Sequence, residues 1–199
     1  MLTWEVHGRE HLTGRSGLVL ANHPTLIDAV FLLAWMPEVV CIVKQSLRQN
    51  PFLGWAVEAA GYIGNAAPAK LIDECIASLE AGHSLIIFPE GTRSVPGRCP
   101  VFRRGAARVV LGVSAPVIPV RIGCQPITLT KSDKWYRVPE RPAHYVFEVG
   151  APLAAADFGL RPGESSSQAA RRVTGQLQDL LRPVDATRTD IGQPGGGYA

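Results

Sequence analysis

Gly17-Leu-Val-Leu-Ala-Asn-His-Pro-Thr-Leu-Ile-Asp28 runs directly into Ala29-Val-Phe-Leu-Leu-Ala-Trp-Met36. Residues 17–21 form a short apolar run rich in Leu and Val, the pattern of a strand buried on both faces. Pro24 stands where a first helical turn can begin, because its φ is already set and its missing N–H would be unpaired there. Residues 25–35 then read as a helix, which Pro37 ends. A buried strand followed at once by a helix is the unit from which α/β sheets are built.

The alternation continues along the chain. Residues 39–43 are a β-branched buried strand. Pro51 opens a helix through Ala60, closed by Gly61, and Tyr62 and Ile63 make a short strand. Leu71, Cys75, Ile76 and Leu79 recur at helical spacing within 71–81, and Gly82 stops that helix. A strand over 84–88, a loop rich in Pro and Gly, a helix near 104–111, strands over 117–122 and 144–149, and a C-terminal helix over 165–181 complete the pattern. The predicted fold is α/β: a single domain over residues 1–183, with a mixed, largely parallel sheet flanked by helices. The polar, Gly-containing segment 184–199 reads as a disordered tail.

Composition narrows the function. The 199 residues are 46% hydrophobic and 19% charged, a globular balance, and the net charge of +3 is modest. No dense basic stripe marks a nucleic-acid binder. Cys41, Cys75, Cys99 and Cys124 are far apart and form no Cys-x-x-Cys pair, so they read as buried thiols in a reducing, cytosolic setting, with no metal site. Residues 1–5 lack the features of a signal peptide. The longest apolar stretch, 29–36, falls well short of the roughly 20 residues of a spanning helix, which leaves a soluble or surface-bound chain. Phe52, Leu53 and Trp55 read first as core; the alternative is an interfacial edge beside Arg48.

Two polar clusters fall just beyond strand ends, where α/β sheets gather functional groups. In the first, Asn22, His23 and Asp28 follow the strand 17–21. Five residues on one helix lie about 140° apart and share no face, so His23 sits outside the helix and folds back over its first turn. Asp28 is then able to accept from the ring N–H. A carboxylate on one ring nitrogen fixes the tautomer and leaves the other nitrogen as a base toward a hydroxyl. The bland alternative is Asn22 as a helix cap and His23 as an ordinary surface ring.

The second cluster is Phe88-Pro-Glu-Gly-Thr-Arg-Ser94. Arg93 offers a planar fork suited to phosphate or carboxylate. Gly91 lets the backbone approach a ligand, and Glu90 either holds Arg93 or meets the substrate. Lys44, Arg103 and Arg104 add charge for a phosphate cradle. The bland alternative is a Glu–Arg pair stapling a surface loop.

In this order the two clusters resemble the glycerolipid acyltransferase superfamily, which includes 1-acylglycerol-3-phosphate acyltransferases. The family's Asn-His-x4-Asp block is matched by Asn22, His23 and Asp28, and its Phe-Pro-Glu-Gly-Thr-Arg-Ser block by residues 88–94 without change. Its Pro-containing apolar strand is matched by Val117, Ile118, Pro119 and Val120, and its basic pair before glycine by Arg103, Arg104 and Gly105. The resemblance implies a glycerol-3-phosphate acyltransferase-like fold and direct acyl transfer from acyl-CoA or acyl-carrier protein to a lysophospholipid-like acceptor. It implies His23 as general base oriented by Asp28, and Asn22, Lys44, Glu90, Gly91, Thr92, Arg93 and Arg103 around the substrate. No cofactor, metal or nucleic acid is implied, and a peripheral contact with the inner membrane face is.

Two departures qualify the acceptor and the setting. Asn65 stands where the family usually has an arginine that contacts glycerol phosphate. The family's N-terminal membrane helices have no counterpart in the residues read here. The short form, with Lys131, Trp135, Tyr136, Arg137, Val138 and Pro139 after the core, is similar to small bacterial members. Two alternatives share the same residues: a hydrolase that delivers the acyl group to water, and a lipid-binding module without turnover. No Gly-x-Ser-x-Gly elbow supports a serine esterase.

Overall fold

Leu18 and Leu20 point to one side of their strand, Val19 and Ala21 to the other, and all four are fully buried. A strand apolar on both faces belongs in the middle of a covered sheet, and it lies there. In chain order the strands are β1 (Thr3–His7), β2 (Leu18–Ala21), β3 (Val39–Val43), β4 (Ile63–Gly64), β5 (Ser84–Ile87), β6 (Val117–Gln125) and β7 (His144–Val149). They form one sheet of order β1-β7-β6-β2-β5-β3-β4. Every neighbouring pair is parallel except β6 and β7, which run antiparallel. The computed structural model describes residues 2–14, 16–36, 38–43, 45–51, 54–65, 68–95, 97–130, 133 and 141–187. Lys44, Phe52, Leu53, Lys131 and the Trp135–Pro139 segment lie outside the described residues.

Each face of the sheet has its own core. Leu18, Leu20, Leu85, Ile87 and Val117 pack with α4 (Pro68–Glu80), α5 (Arg104–Gly112) and α6 (Ser166–Leu180). Val19, Ala21, Ile86, Ile118 and Val120 pack with α1 (Asp28–Trp35) and with Tyr145 and Phe147 of β7. The alternation of two apolar sets along each strand is what builds the three layers.

Several boundaries differ from the sequence reading. The helix expected over 25–35 begins only at Asp28, because residues 25–27 form a turn whose Thr25 N–H and hydroxyl are both taken by the Asp28 carboxylate. The helix expected from Pro51 to Ala60 is α3 (Gly54–Ala59), and a separate short helix, α2 (Gln45–Arg48), precedes it. Trp55 is 73% exposed, so it is not core. β1 is a strand beyond those expected, and its residues Trp4 and Val6 alternate with Thr3, Glu5 and His7. Of the segment expected to be a tail, residues 188–199 lie outside the described residues, and 184–187 pack on the sheet: Ala186 is buried, and the Val184 carbonyl lies over Gly123, where a Cβ would stand 2.4 Å from it. That close approach admits only glycine and docks the segment across β6.

Candidate active site

The parallel strands β2, β5 and β3 all end at one edge of the sheet, and both polar clusters lie there. β2 leaves the ladder after Ala21, and the Asn22 amide replaces the lost peptide. Its Nδ2 donates to the Ile122 carbonyl and its Oδ1 accepts from the Ile122 N–H, both at 2.7 Å. The side chain therefore continues the pairing with β6 while the backbone turns away. Asn22 is fully buried and holds this clamp; it does not cap α1, whose N-cap is Ile27.

His23 follows, and its surroundings leave it little freedom. Its N–H donates to Glu90 Oε1 at 2.8 Å, and its carbonyl accepts from the Ser94 N–H at 2.7 Å. Its ring stacks on Phe88, centroids 4.2 Å apart and planes 24° from parallel. Nδ1 donates to Asp28 Oδ2 at 3.0 Å. The ring keeps 17% of its surface exposed, and Nε2 has no hydrogen-bond partner among the described residues. With its proton on Nδ1, a neutral ring carries the free lone pair on Nε2.

Asp28 is a fully buried carboxylate, which is tolerated only when its oxygens are satisfied. Besides His23 it accepts from the Thr25 N–H at 2.7 Å and from the Thr25 hydroxyl at 2.6 Å. It also sits in the first turn of α1, where the helix dipole favours negative charge.

The second cluster divides into scaffold and surface. Glu90 is buried, and its second oxygen accepts from the Ser94 hydroxyl at 2.8 Å. Both oxygens thus hold the protein's own groups, and Glu90 braces the turn at His23. Arg93 is half-buried; its Nη1 donates to the carbonyls of Leu129 at 2.9 Å and Thr130 at 2.8 Å. It pins the loop after β6 to the site. Gly91 and Thr92 are exposed. Gly91 has φ +66°, and a Cβ there would lie 2.9 Å from Arg103 Nε and 3.0 Å from its Cδ. The missing side chain lets Arg103, itself exposed, lie across the turn.

Thr25 and Tyr145, which belong to neither sequence cluster, also hold the site. Thr25-x-x-Asp28 has the spacing of a capping box, so Thr25 was findable. Asn65 sits at the same sheet edge, and its Oδ1 accepts from the Gln45 N–H at 3.0 Å. Two open recesses, of about 690 Å3 beside Tyr62 and Val39 and about 260 Å3 beside Leu12 and Ser84, lie at the opposite edge.

Residues 3–123 match the family model described as Acyltransferase. The chain belongs to the Acyltransferase family. The match includes both clusters and ends before β7. An enzyme of Pseudomonas aeruginosa named 1-acyl-sn-glycerol-3-phosphate acyltransferase is 30% identical over 128 residues, 60% of this chain and 49% of that protein. One of the same name from Cocos nucifera is 30% identical over 184 residues, 76% of this chain and 58% of that protein. The chain spans about half the length of the curated relatives it matches. The crystal structure of the 1-acyl-sn-glycerophosphate acyltransferase PlsC from Thermotoga maritima superimposes with a TM-score of 0.63 at 23% identity, covering 89% of this chain and 70% of that one. That likeness carries the fold.

Proposed function

We propose that this Acyltransferase-family chain transfers a fatty acyl group from an acyl-CoA or acyl-carrier-protein thioester to a hydroxyl of a lysophospholipid-like acceptor. The observation that carries it is His23, tied through Nδ1 to buried Asp28, with Nε2 free at the edge of the sheet. In this reading Nε2 takes the acceptor's hydroxyl proton as its oxygen attacks the thioester carbonyl. The C–S bond then breaks, and the leaving thiolate takes the proton back from the imidazolium, which Asp28 stabilises in between. Gly91, Thr92 and Arg103 line the exposed side, and Arg103 supplies a fork for an anionic headgroup. Arg93 acts mainly by shaping the loop. Lys44 is assigned to the same cradle from its sequence position alone.

A peripheral site of action at a membrane face is part of the proposal. No helix among the described residues is long and apolar enough to cross a membrane. The segment from Gly91 to the start of α5 carries exposed Val95 and Val101, the latter 79% exposed, interspersed with exposed Arg98, Arg103 and Arg104. Apolar groups interleaved with cations suit an anionic interface.

The test is acyl transfer from a labelled thioester to lysophospholipids by wild type and His23→Ala. Loss of about 10²- to 10⁴-fold is the expected range for a removed general base. Turnover by His23→Ala equal to wild type rejects the proposal. Free acid as sole product shows a hydrolase, and stoichiometric lipid binding without product shows a binding module.

A further inference from the structure

Tyr145 is fully buried on β7, more than a hundred residues from the Asn-His-x4-Asp block and beyond the family-matched segment. It is surrounded by aromatic packing: Phe31 lies 5.7 Å and Phe147 6.2 Å away, centroid to centroid. Its hydroxyl is the exception in that apolar setting. It donates to Thr25 Oγ1 at 3.2 Å, and Thr25 in turn donates to Asp28 Oδ1 at 2.6 Å. Asp28 Oδ2 accepts from His23 Nδ1 at 3.0 Å.

We propose that Tyr145 and Thr25 are positioning residues for the His23–Asp28 pair, acting as a directed chain of hydroxyls that holds the Asp28 carboxylate in place. This rests on the reading of His23 as general base.

The direction of the chain follows from proton counting. A threonine hydroxyl has one proton and two lone pairs. Because Tyr145 donates into Thr25 Oγ1, the Thr25 proton is free to point at Asp28, and polarisation along the row strengthens that bond. One carboxylate oxygen is thereby taken by Thr25, and the other is shared between His23 and the Thr25 N–H. No proton moves along the chain. Its effect is to fix the orientation of Asp28 and to divide its charge between two partners. A carboxylate that loses a competing donor presents more charge to His23 and holds a protonated ring more tightly.

The ionisable groups around the chain come from several elements. Asp28 belongs to α1, and Glu90 braces the His23 backbone. Arg93 and Arg103 lie on the loop after β5. The Cys124 thiol, opposite Tyr145 on β6, donates to the Pro126 carbonyl at 3.4 Å. Burial pushes the Tyr145 phenol well above its ordinary range and raises the Cys124 thiol too, so both stay protonated as donors near neutral pH.

The experiment compares wild type, Tyr145→Phe, Thr25→Val and Thr25→Ser. Three quantities are read: kcat and KM separately, the acid limb of the kcat/KM pH profile, and the downfield Nδ1–H resonance of His23 in 15N-histidine-labelled protein. Tyr145→Phe is expected to lower kcat about three- to tenfold with KM little changed, the size of one neutral hydrogen bond. Its acid limb moves to higher pH, and the His23 resonance shifts. Thr25→Val moves all three further, and Thr25→Ser, which keeps the hydroxyl, stays near wild type. A lowered melting temperature with acid limb and resonance unmoved marks Tyr145 as packing alone and overturns the proposal. Full turnover in His23→Ala would remove the base reading, while the resonance in Tyr145→Phe would still report whether the hydroxyl chain acts on the ring.

Discussion

Single residues at this site do one of two jobs, and sequence type does not separate them. Asn22, Glu90 and Arg93 are polar or charged, yet their hydrogen bonds go to the Ile122 peptide, the His23 backbone and the loop after β6. His23 Nε2, Thr92 and Arg103 make no such hydrogen bond among the described residues. Gly91 joins them through what it lacks. Gly91→Ala places a Cβ at a φ that side chains rarely adopt and pushes against Arg103. The expected outcome is a KM for an anionic acceptor raised more than kcat is lowered, with a stability cost of about 1–2 kcal/mol. Steady-state kinetics beside thermal unfolding check it; an unchanged KM would remove Arg103 from the binding face.

At the level of elements, the termini carry the information. The late start of α1 is what gives His23 and Asp28 a common side: were residues 24–28 helical, the pair would diverge by more than a third of a turn. The C-terminal helix α6 has a different device at its start. Ser165 and Gln168 form a capping box, and Glu164, just before it, pairs with Arg172 at 2.8 Å. The hydrogen bond from Arg172 holds Glu164 down from 4.5 to about 2. A carboxylate depressed in the folded state contributes stability in full above its unfolded value and loses it as pH falls toward the folded one. The melting temperature of the wild type is therefore expected to drop between pH 4.5 and about 2 more steeply than that of Glu164→Gln. Parallel melting curves over that range would show that the pair contributes nothing to acid stability.

For the molecule as a whole, the positive charge is unevenly spread along the chain. From Gly91 to Thr130 the chain has six arginines and no Asp or Glu. Arg98, Arg103, Arg104 and Arg108 are exposed and meet no carboxylate among the described residues. Vesicles of phosphatidylglycerol and phosphatidylcholine are expected to co-sediment the protein at low salt and release it as salt rises. Arg98→Glu with Arg104→Glu weakens that binding several-fold. Equal binding to purely zwitterionic vesicles would place the attraction elsewhere.

Strand and helix order, the two-sided apolar pattern of the central strands, and the nearness of His23 to Asp28 were legible from residues alone. Each depends on local spacing: period two in a strand, period 3.6 in a helix, a proline that turns the chain. The alternation in β1 is of the same local kind. What spacing could not reveal was which polar groups would be consumed by the fold. Ile122 lies 100 residues from Asn22 and Glu90 lies 67 from His23; Tyr145 lies 120 from Thr25. Those partnerships exist only once β2, β5, β6 and β7 are laid side by side. Buried donors and acceptors then have to find one another because water is gone. The sequence by itself determined a covered, mostly parallel sheet with a histidine and a carboxylate at its edge. Tertiary structure decided which of the neighbouring polar side chains hold that histidine and which face outward.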